Sequence, residues 1–393
     1  MTTIVDGYLP DRPRPPWFAT ALVALFVTTL VVGLAGAFRA PRETPNAFEN
    51  RKVEAMPDPP RTAKALREYP AHFERFFADR FGMRNALVKL DHWTRAIVFG
   101  VSPVSRVLIG KSGWLYFRGE DSKAFDRWYL GTEPVADATI AAIRDELLRR
   151  QAFLASRGVA FLVVVVPDKH SIYPEFLPDW AATRATSTPF DRLVAALAGD
   201  TQLRVVDLRA TLLAAKGADR LYYQTDSHWN YLGAFAAYEA LMPEVAKLLP
   251  GLTIASIARP QTHAGVSYYS GDLAQMLGLP RQFREDDIVP FKKGRWTPYS
   301  RCAQREASGD AGTETYAYRC VNAPRHTALV YRDSMGLWLT PMLAENFANS
   351  TFVVSAQLDP ALVESLKPDI VIQEMVERSL AGLATYPMPP PPR

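Results

Sequence analysis

Between Gly158 and Pro167 the chain runs Val-Ala-Phe-Leu-Val-Val-Val-Val, with no polar side chain. A continuous apolar, largely β-branched run of this kind is how a strand reads when both of its faces are covered, because no position has to meet water. Gly158 closes the helix that precedes it, and Pro167, which has no N–H to give to a ladder, closes the strand. A strand covered on both faces needs helices on both faces, and the flanking sequence supplies them. Pro134 to Ser156 has helical apolar spacing through Ile140, Ile143, Leu147, Leu148 and Phe153. Downstream, helical segments at Pro189–Ala198, Tyr231–Leu249, Gly336–Phe347 and Pro360–Leu366 alternate with strand segments at Leu203–Leu208, Thr327–Tyr331, Thr351–Ser355 and Asp369–Gln373. This alternation predicts an α/β fold: a mostly parallel, doubly wound sheet with helices on both faces, joined by right-handed crossovers. Val107 to Phe117 reads as two short strands about a glycine-bearing turn.

In such a sheet, ligands gather outside the carboxyl ends of the strands. The residues to inspect are therefore Asp168-Lys169-His170, Asp207, Asp333-Ser334 and Glu374. Residues 251–326 break the alternation and read as an insertion over those strand ends. The segments before the sheet divide as a short N-terminal tail (1–16), an uncharged run (17–38), a proline-rich stalk with a helical lead-in (39–105), and the main body (106–385).

The uncharged run, Trp17 to Phe38, is 22 residues long. A helix needs about 20 residues to cross a hydrocarbon core, so an uncleaved single-pass transmembrane anchor is expected. A cleaved signal peptide is the alternative, since Ala35-Gly36-Ala37 resembles a cleavage site, but a signal core is shorter, about 7–15 residues. Basic residues flank both ends, so charge counting does not orient the span. The formal charge of +4 comes from scattered residues; the pairs Arg149-Arg150 and Lys292-Lys293 read as solvated faces, and no nucleic acid partner is expected. Cys302 and Cys320 can close a loop in an oxidising compartment or remain two thiols.

Two short segments carry chemistry. Thr225-Asp226-Ser227-His228-Trp229-Asn230 leads into a helix, with Asn230 as its cap. A carboxylate two residues from an imidazole can hold one ring nitrogen and leave the other as a general base. Arg332-Asp333-Ser334-Met335-Gly336 lies between a buried strand and a helix, where a turn exposes a hydroxyl and the following N–H groups can face a developing oxyanion. Each segment alone also reads as an ordinary helix cap. Together they supply nucleophile (Ser334), base (His228) and orienting acid (Asp226), the requirements of an acyl-serine mechanism. Lys169, Trp229 and Arg332 are candidate substrate contacts, and Asn322 and Asn346 are candidate oxyanion donors. Glu377 and Arg378 read as a local ion pair. No cofactor is called for, and His228, His263, His326 and Asp226 show no zinc-like spacing, so no metal is expected.

Asp-Ser-His-Trp-Asn at 226–230, Asp-Ser at 333–334, Val-Pro-Asp-Lys at 166–169, Gly-Lys-Ser-Gly-Trp-Leu-Tyr-Phe at 110–117 and Glu-Asn-Arg at 49–51 together resemble the AlgX/AlgJ family of alginate O-acetyltransferases, and AlgJ more than AlgX. The resemblance implies an SGNH hydrolase-like catalytic domain with the triad Asp226, His228 and Ser334. It implies acetyl transfer to an exported polysaccharide, alginate or a similar exopolysaccharide. It also implies a body in the periplasm tethered to the inner membrane, and a membrane-bound O-acyltransferase as the donor partner. Arg332 departs from the glycine usual before Asp-Ser. A polysaccharide acetyl-esterase with the same triad, or a non-catalytic sugar-binding subunit of an export complex, would fit the same residues.

Overall fold

A computed structural model describes residues 16–39, 54–82, 84–260, 268–286, 288, 302–305, 314–321, 323 and 325–390. The N-terminal tail up to residue 15, part of the stalk with Glu49-Asn50-Arg51, and Lys292-Lys293, His263 and Asn322 lie outside the described residues. The chain divides into two compact units, Met1–Phe99 and Gly100–Arg393.

In the first unit, helix α1 (Pro16–Arg39) contains the uncharged run. Several of its side chains toward the C-terminal end are not described, and among the described residues no helix is long and apolar enough to cross a membrane. Helix α2 (Ala63–Arg80) starts at Thr62, whose hydroxyl accepts from Ala65 N–H at 3.1 Å. Helix α3 (Arg84–Trp93) follows and ends in one π turn, Thr94–Val98.

The second unit opens with the hairpin β1 (Val107–Ile109) and β2 (Leu115–Phe117). Then come α4 (Asp137–Ala155), β3 (Ala160–Val166), α5 (Lys169–Ile172), α6 (Pro189–Leu197), β4 (Arg204–Asp207), α7 (Arg209–Ala215) and α8 (Tyr231–Leu248). The insertion contributes β5 (Tyr268–Tyr269), α9 (Asp272–Met276), β6 (Glu285–Asp286), β7 (Ala303–Arg305) and β8 (Thr315–Arg319). Last are β9 (Thr327–Arg332), α10 (Thr340–Ala344), β10 (Asn349–Val354), α11 (Pro360–Leu366), β11 (Ile370–Val376) and α12 (Ala381–Thr385).

Among the described residues, the main sheet has seven strands in the order β4-β3-β11-β9-β10-β8-β7. The first five run parallel, as expected, whereas β8 and β7 add an antiparallel edge, so the sheet is mixed. These two edge strands, Thr-Tyr-Ala-Tyr-Arg and Ala-Gln-Arg, carry no continuous apolar run, because an edge strand is not enclosed like a central one. Cys302 and Cys320 are disulfide-bonded, Cα to Cα 4.4 Å, and staple this edge.

The strand pleat sorts β3 between two cores. Leu162, Val164 and Val166 pack on one face with Leu241, Met242 and Leu343, from α8 and α10. Phe161, Val163 and Val165 pack on the other with Ile143, Leu147 and Leu193, from α4 and α6. Across that second core the fully buried Arg150 of α4 reaches Gln373 Oε1 of β11 at 2.7 Å and is neutralised by Glu146 at 2.6 Å. The long parallel strands thus hold the loops after β3, β9 and β11 at one edge of the sheet.

Candidate active site

The loop before α8 carries the base. Asn230 caps the helix as expected, its Oδ1 accepting from Leu232 N–H at 2.9 Å and Gly233 N–H at 3.1 Å. Capping turns the preceding residues back, so that Asp226 Oδ1 lies 2.6 Å from His228 Nδ1 and also accepts from His228 N–H at 2.9 Å. Asp226 Oδ2 accepts from the Tyr269 hydroxyl and from Asp272 N–H, the latter at 3.0 Å. Burial alone would raise the pKa of this carboxyl. The hydrogen bond and charge of His228, with Tyr269 and the Asp272 amide, outweigh it and hold Asp226 well below the usual carboxylate range. An ionised Asp226 raises His228 above its ordinary value, against the opposing effect of burial. It also fixes Nδ1–H, which leaves Nε2 as the acceptor; among the described residues Nε2 has no partner.

A second carboxylate stands behind the same imidazole. Asp272 Oδ2 is 3.7 Å from His228 Nδ1 and accepts from the Ser227 hydroxyl, while Asp272 Oδ1 accepts from Ser227 N–H at 2.7 Å. Burial and the charge of Asp226 push the Asp272 pKa up. Sequence reasoning assigns neither Asp272 nor Tyr269 to the site. Both come from the insertion, more than 40 residues beyond Asp226.

Lys169 and Trp229 belong to the scaffold of this loop. Lys169 is buried, and its ammonium donates to the carbonyls of Tyr223, Gln224 and Asp226 at 3.0, 3.0 and 2.6 Å. These bonds satisfy the donors that a sugar carboxylate would need. Burial lowers its pKa to about 8. Trp229 is fully buried, and its indole N–H donates to the carbonyl of Met335 at 2.8 Å. That bond ties the base loop to the loop after β9, one residue from His228 on one side and one from Ser334 on the other.

Ser334 itself is exposed and lies two residues past the end of β9, ahead of a single 3-10 turn. Its hydroxyl makes no hydrogen bond, to His228 or to any other group, among the described residues. It opens on a cavity of about 690 Å3 whose wall includes Arg127, Arg332, Arg378, Phe117 and Tyr386. Arg332 donates to the Asp333 carbonyl at 2.9 Å, and its Nε is buried without a partner.

The oxyanion expectation needs correcting. The Met335 N–H is taken by Asp333 Oδ1 at 2.8 Å, and that of Gly336 by Glu374. Asp333 Oδ2 in turn accepts from Val376 N–H at 2.8 Å, and Asp333 N–H donates to Glu374 at 3.2 Å. The two amides after the serine are thus committed to carboxyl groups, and among the described residues the amide of Ser334 itself is the one left open on this turn. Asn346 is wholly buried and bonded to Ala255 N–H, the Tyr238 hydroxyl and the Met342 carbonyl, which removes it as an oxyanion donor. Arg378 also departs from expectation: it pairs with Asp168 across the sheet, not with its neighbour Glu377. Glu377 instead accepts from Asp168 N–H at 2.9 Å and from the Ser171 hydroxyl.

Among the described residues, two groups of side chains bring potential metal ligands together, Asp168/His170/Glu377 and Asp226/His228/Asp272. The carboxylates in both are occupied by arginine, hydroxyl or amide donors, as described, and offer a cation no ready site.

Residues 107–302 match the family described as SGNH hydrolase-like domain, acetyltransferase AlgX. A probable alginate O-acetylase AlgJ of Pseudomonas syringae pv. tomato is 30% identical over 146 residues, 37% of this chain and 34% of that protein. The probable alginate O-acetylase AlgJ of Pseudomonas putida is 28% identical over 214 residues, 54% of this chain and 51% of that one. The chain therefore spans a third to about half the length of these curated relatives. Among solved structures, the O-acetyltransferase domain of Pseudomonas putida AlgJ is 21% identical with a TM-score of 0.44, covering 70% of this chain and 92% of that one. Through the match at residues 107–302, which takes in the hairpin, β3, β4 and the base loop, the chain belongs to the AlgX/AlgJ family.

Proposed function

We propose that this chain is an O-acetyltransferase that places acetyl groups on hydroxyls of an exported polysaccharide, alginate or a similar exopolysaccharide, through an acyl-Ser334 intermediate. The observation that carries the proposal is the ionised Asp226 holding His228 at 2.6 Å on a loop bonded, through Trp229, to the serine loop. In the first half-reaction His228 Nε2 takes the proton from Ser334 Oγ as the oxygen attacks the acyl carbon of the donor. Asp226 stabilises the imidazolium, which returns the proton to the departing donor oxygen. In the second, a sugar hydroxyl gives its proton to Nε2 and attacks the acyl-serine; collapse restores the Ser334 hydroxyl and leaves the new ester. The absence of a hydrogen bond from Ser334 in the unliganded site fits a base contact that closes when substrate arrives.

The setting belongs to the same proposal. Helix α1 anchors the chain in the inner membrane by one pass, the body lies in the periplasm, and a membrane-bound O-acyltransferase supplies the acetyl group. The length and apolarity of the run from Trp17 to Phe38 support the anchor. The Cys302–Cys320 disulfide supports an oxidising compartment.

The exposure of Ser334 favours one second reading, in which water is the acceptor and the protein is an acetyl-esterase. Detergent-solubilised chain incubated with a chromogenic acetyl ester and an oligouronate separates the two. Acetylated oligosaccharide by mass spectrometry is expected, and acetate as the only product assigns the esterase. Ser334→Ala removes turnover in both cases; unchanged turnover would make the chain a non-catalytic subunit.

A further inference from the structure

Helix α3 contains no buried residue. Its apolar side chains are nevertheless arranged as on a helix that packs. At about 100° per residue, Leu87, Leu90 and Trp93 fall within an arc of about 120°. Their exposures are 40%, 59% and 40%, and the following π turn continues with Ile97 and Val98, 45% and 58% exposed. Asn85 and His92 lie on the opposite side; Lys89 flanks one edge of the apolar arc, and Arg84 and Asp91 flank the other, where Asp91 is paired with Arg95 at 3.0 Å. A tryptophan-bearing apolar stripe edged by charged side chains suits the boundary between acyl chains and headgroups.

The backbone sets the depth. Gly82 N–H, two residues before α3, donates to the carbonyl of Gly33 in α1 at 3.0 Å. Phe81 lies so close to Gly33 that a Cβ there would meet its ring at 1.8 Å, so the turn is seated directly on the backbone of α1. Gly33 is five residues before Phe38, the end of the uncharged run, and five residues of helix measure about 7.5 Å. An interfacial helix sinks its apolar face about 5–10 Å. The turn therefore starts α3 at the level where such a helix sits, if α1 spans the bilayer.

We propose that α3 and its π turn lie in the plane of the membrane, in the leaflet at the C-terminal end of α1, with Leu87, Leu90, Trp93, Ile97 and Val98 turned toward the acyl chains. The occupant of the stripe is the bilayer itself. The proposal rests on α1 being a span, and it adds a second contact that would hold the first unit against the lipid surface.

The two cysteines of the chain are bonded to each other, so single cysteines can be introduced for spin labelling. Full-length variants Asn85→Cys, Leu87→Cys, Leu90→Cys and His92→Cys, with Val27→Cys in α1, are placed in nanodiscs of phosphatidylethanolamine and phosphatidylglycerol. Relaxation by oxygen and by a nickel chelate is then compared. The expected ratio of oxygen to nickel accessibility is several-fold higher at 87 and 90 than at 85 and 92, and highest at 27. A lipid-like label at 27 with water-like labels at 87 and 90 overturns the interfacial helix and keeps the anchor. Labels at 87 and 90 shielded from both reagents overturn it in favour of a protein contact. A water-like label at 27 overturns the anchor, and the depth argument for α3 with it.

Discussion

Lys169→Met separates a scaffold role from a substrate contact. The ammonium donates to three loop carbonyls. Charge-assisted bonds contribute about 1.5–3 kcal/mol each, roughly 4.5–9 kcal/mol in all. Burial opposes this, since lowering the pKa from 10.5 to about 8 corresponds to about 3 kcal/mol against the charged form. The net contribution is then on the order of 3 kcal/mol. At about 2–4 °C per kcal/mol, Tm should fall by about 6–12 °C. The loop that holds His228 should loosen, so kcat falls while KM for an acetyl ester stays within about twofold, because no substrate contact is removed. Thermal unfolding by intrinsic fluorescence and steady-state kinetics measure both. An unchanged Tm with a tenfold rise in KM would refute the reasoning and return Lys169 to the substrate.

Further outcomes follow from the same geometry. His228 must be neutral to act, and Asp226 and Asp272 raise its pKa, so turnover should climb with pH through a value above the ordinary 6.5; Asp272→Asn should move that limb down, and an unmoved limb would remove Asp272 from the site. The same raised pKa stabilises the fold below about 6.5, a contribution lost as pH rises through the folded-state value, which denaturant midpoints across this range can follow. Glu374→Gln should change stability by less than about 1 kcal/mol, because burial and Asp333 already favour the neutral acid, whereas Glu374→Ala should cost more by leaving the Asp333 amide unpaired; equal urea midpoints for the two would contradict this. Replacing Cys302 and Cys320 by serine should cost about 3 kcal/mol, read as a lower urea midpoint that reduction of the unmodified chain reproduces.

The sheet was legible where strands are enclosed. The run at 159–166 could be little else, and Asn230 announced the start of α8. The antiparallel edge was not, because Thr315–Arg319 and Ala303–Arg305 carry no continuous apolar run, and the disulfide that joins their ends links cysteines 18 residues apart. At the site, the Asp226–His228 pair was readable because its partners are two residues apart. Tyr269, Asp272 and the Arg378–Asp168 pair were not, since nothing local in a sequence reports contacts made 43 to 210 residues away. Lys169 stands out in the sequence for its position after a strand, but its charge suggests a ligand where burial directs it to backbone carbonyls.

The strand order also dictates when the site can exist. β11 is the last strand of the chain, yet it lies between β3 and β9. Until residues 370–376 leave the ribosome, the earlier strands form only a β4-β3 pair and a separate β9-β10-β8-β7 ribbon, each with a raw edge. A nascent or prematurely terminated chain would therefore hold His228 and Ser334 on different fragments, and the proposed acetyl transfer would be withheld until synthesis of the sheet is complete.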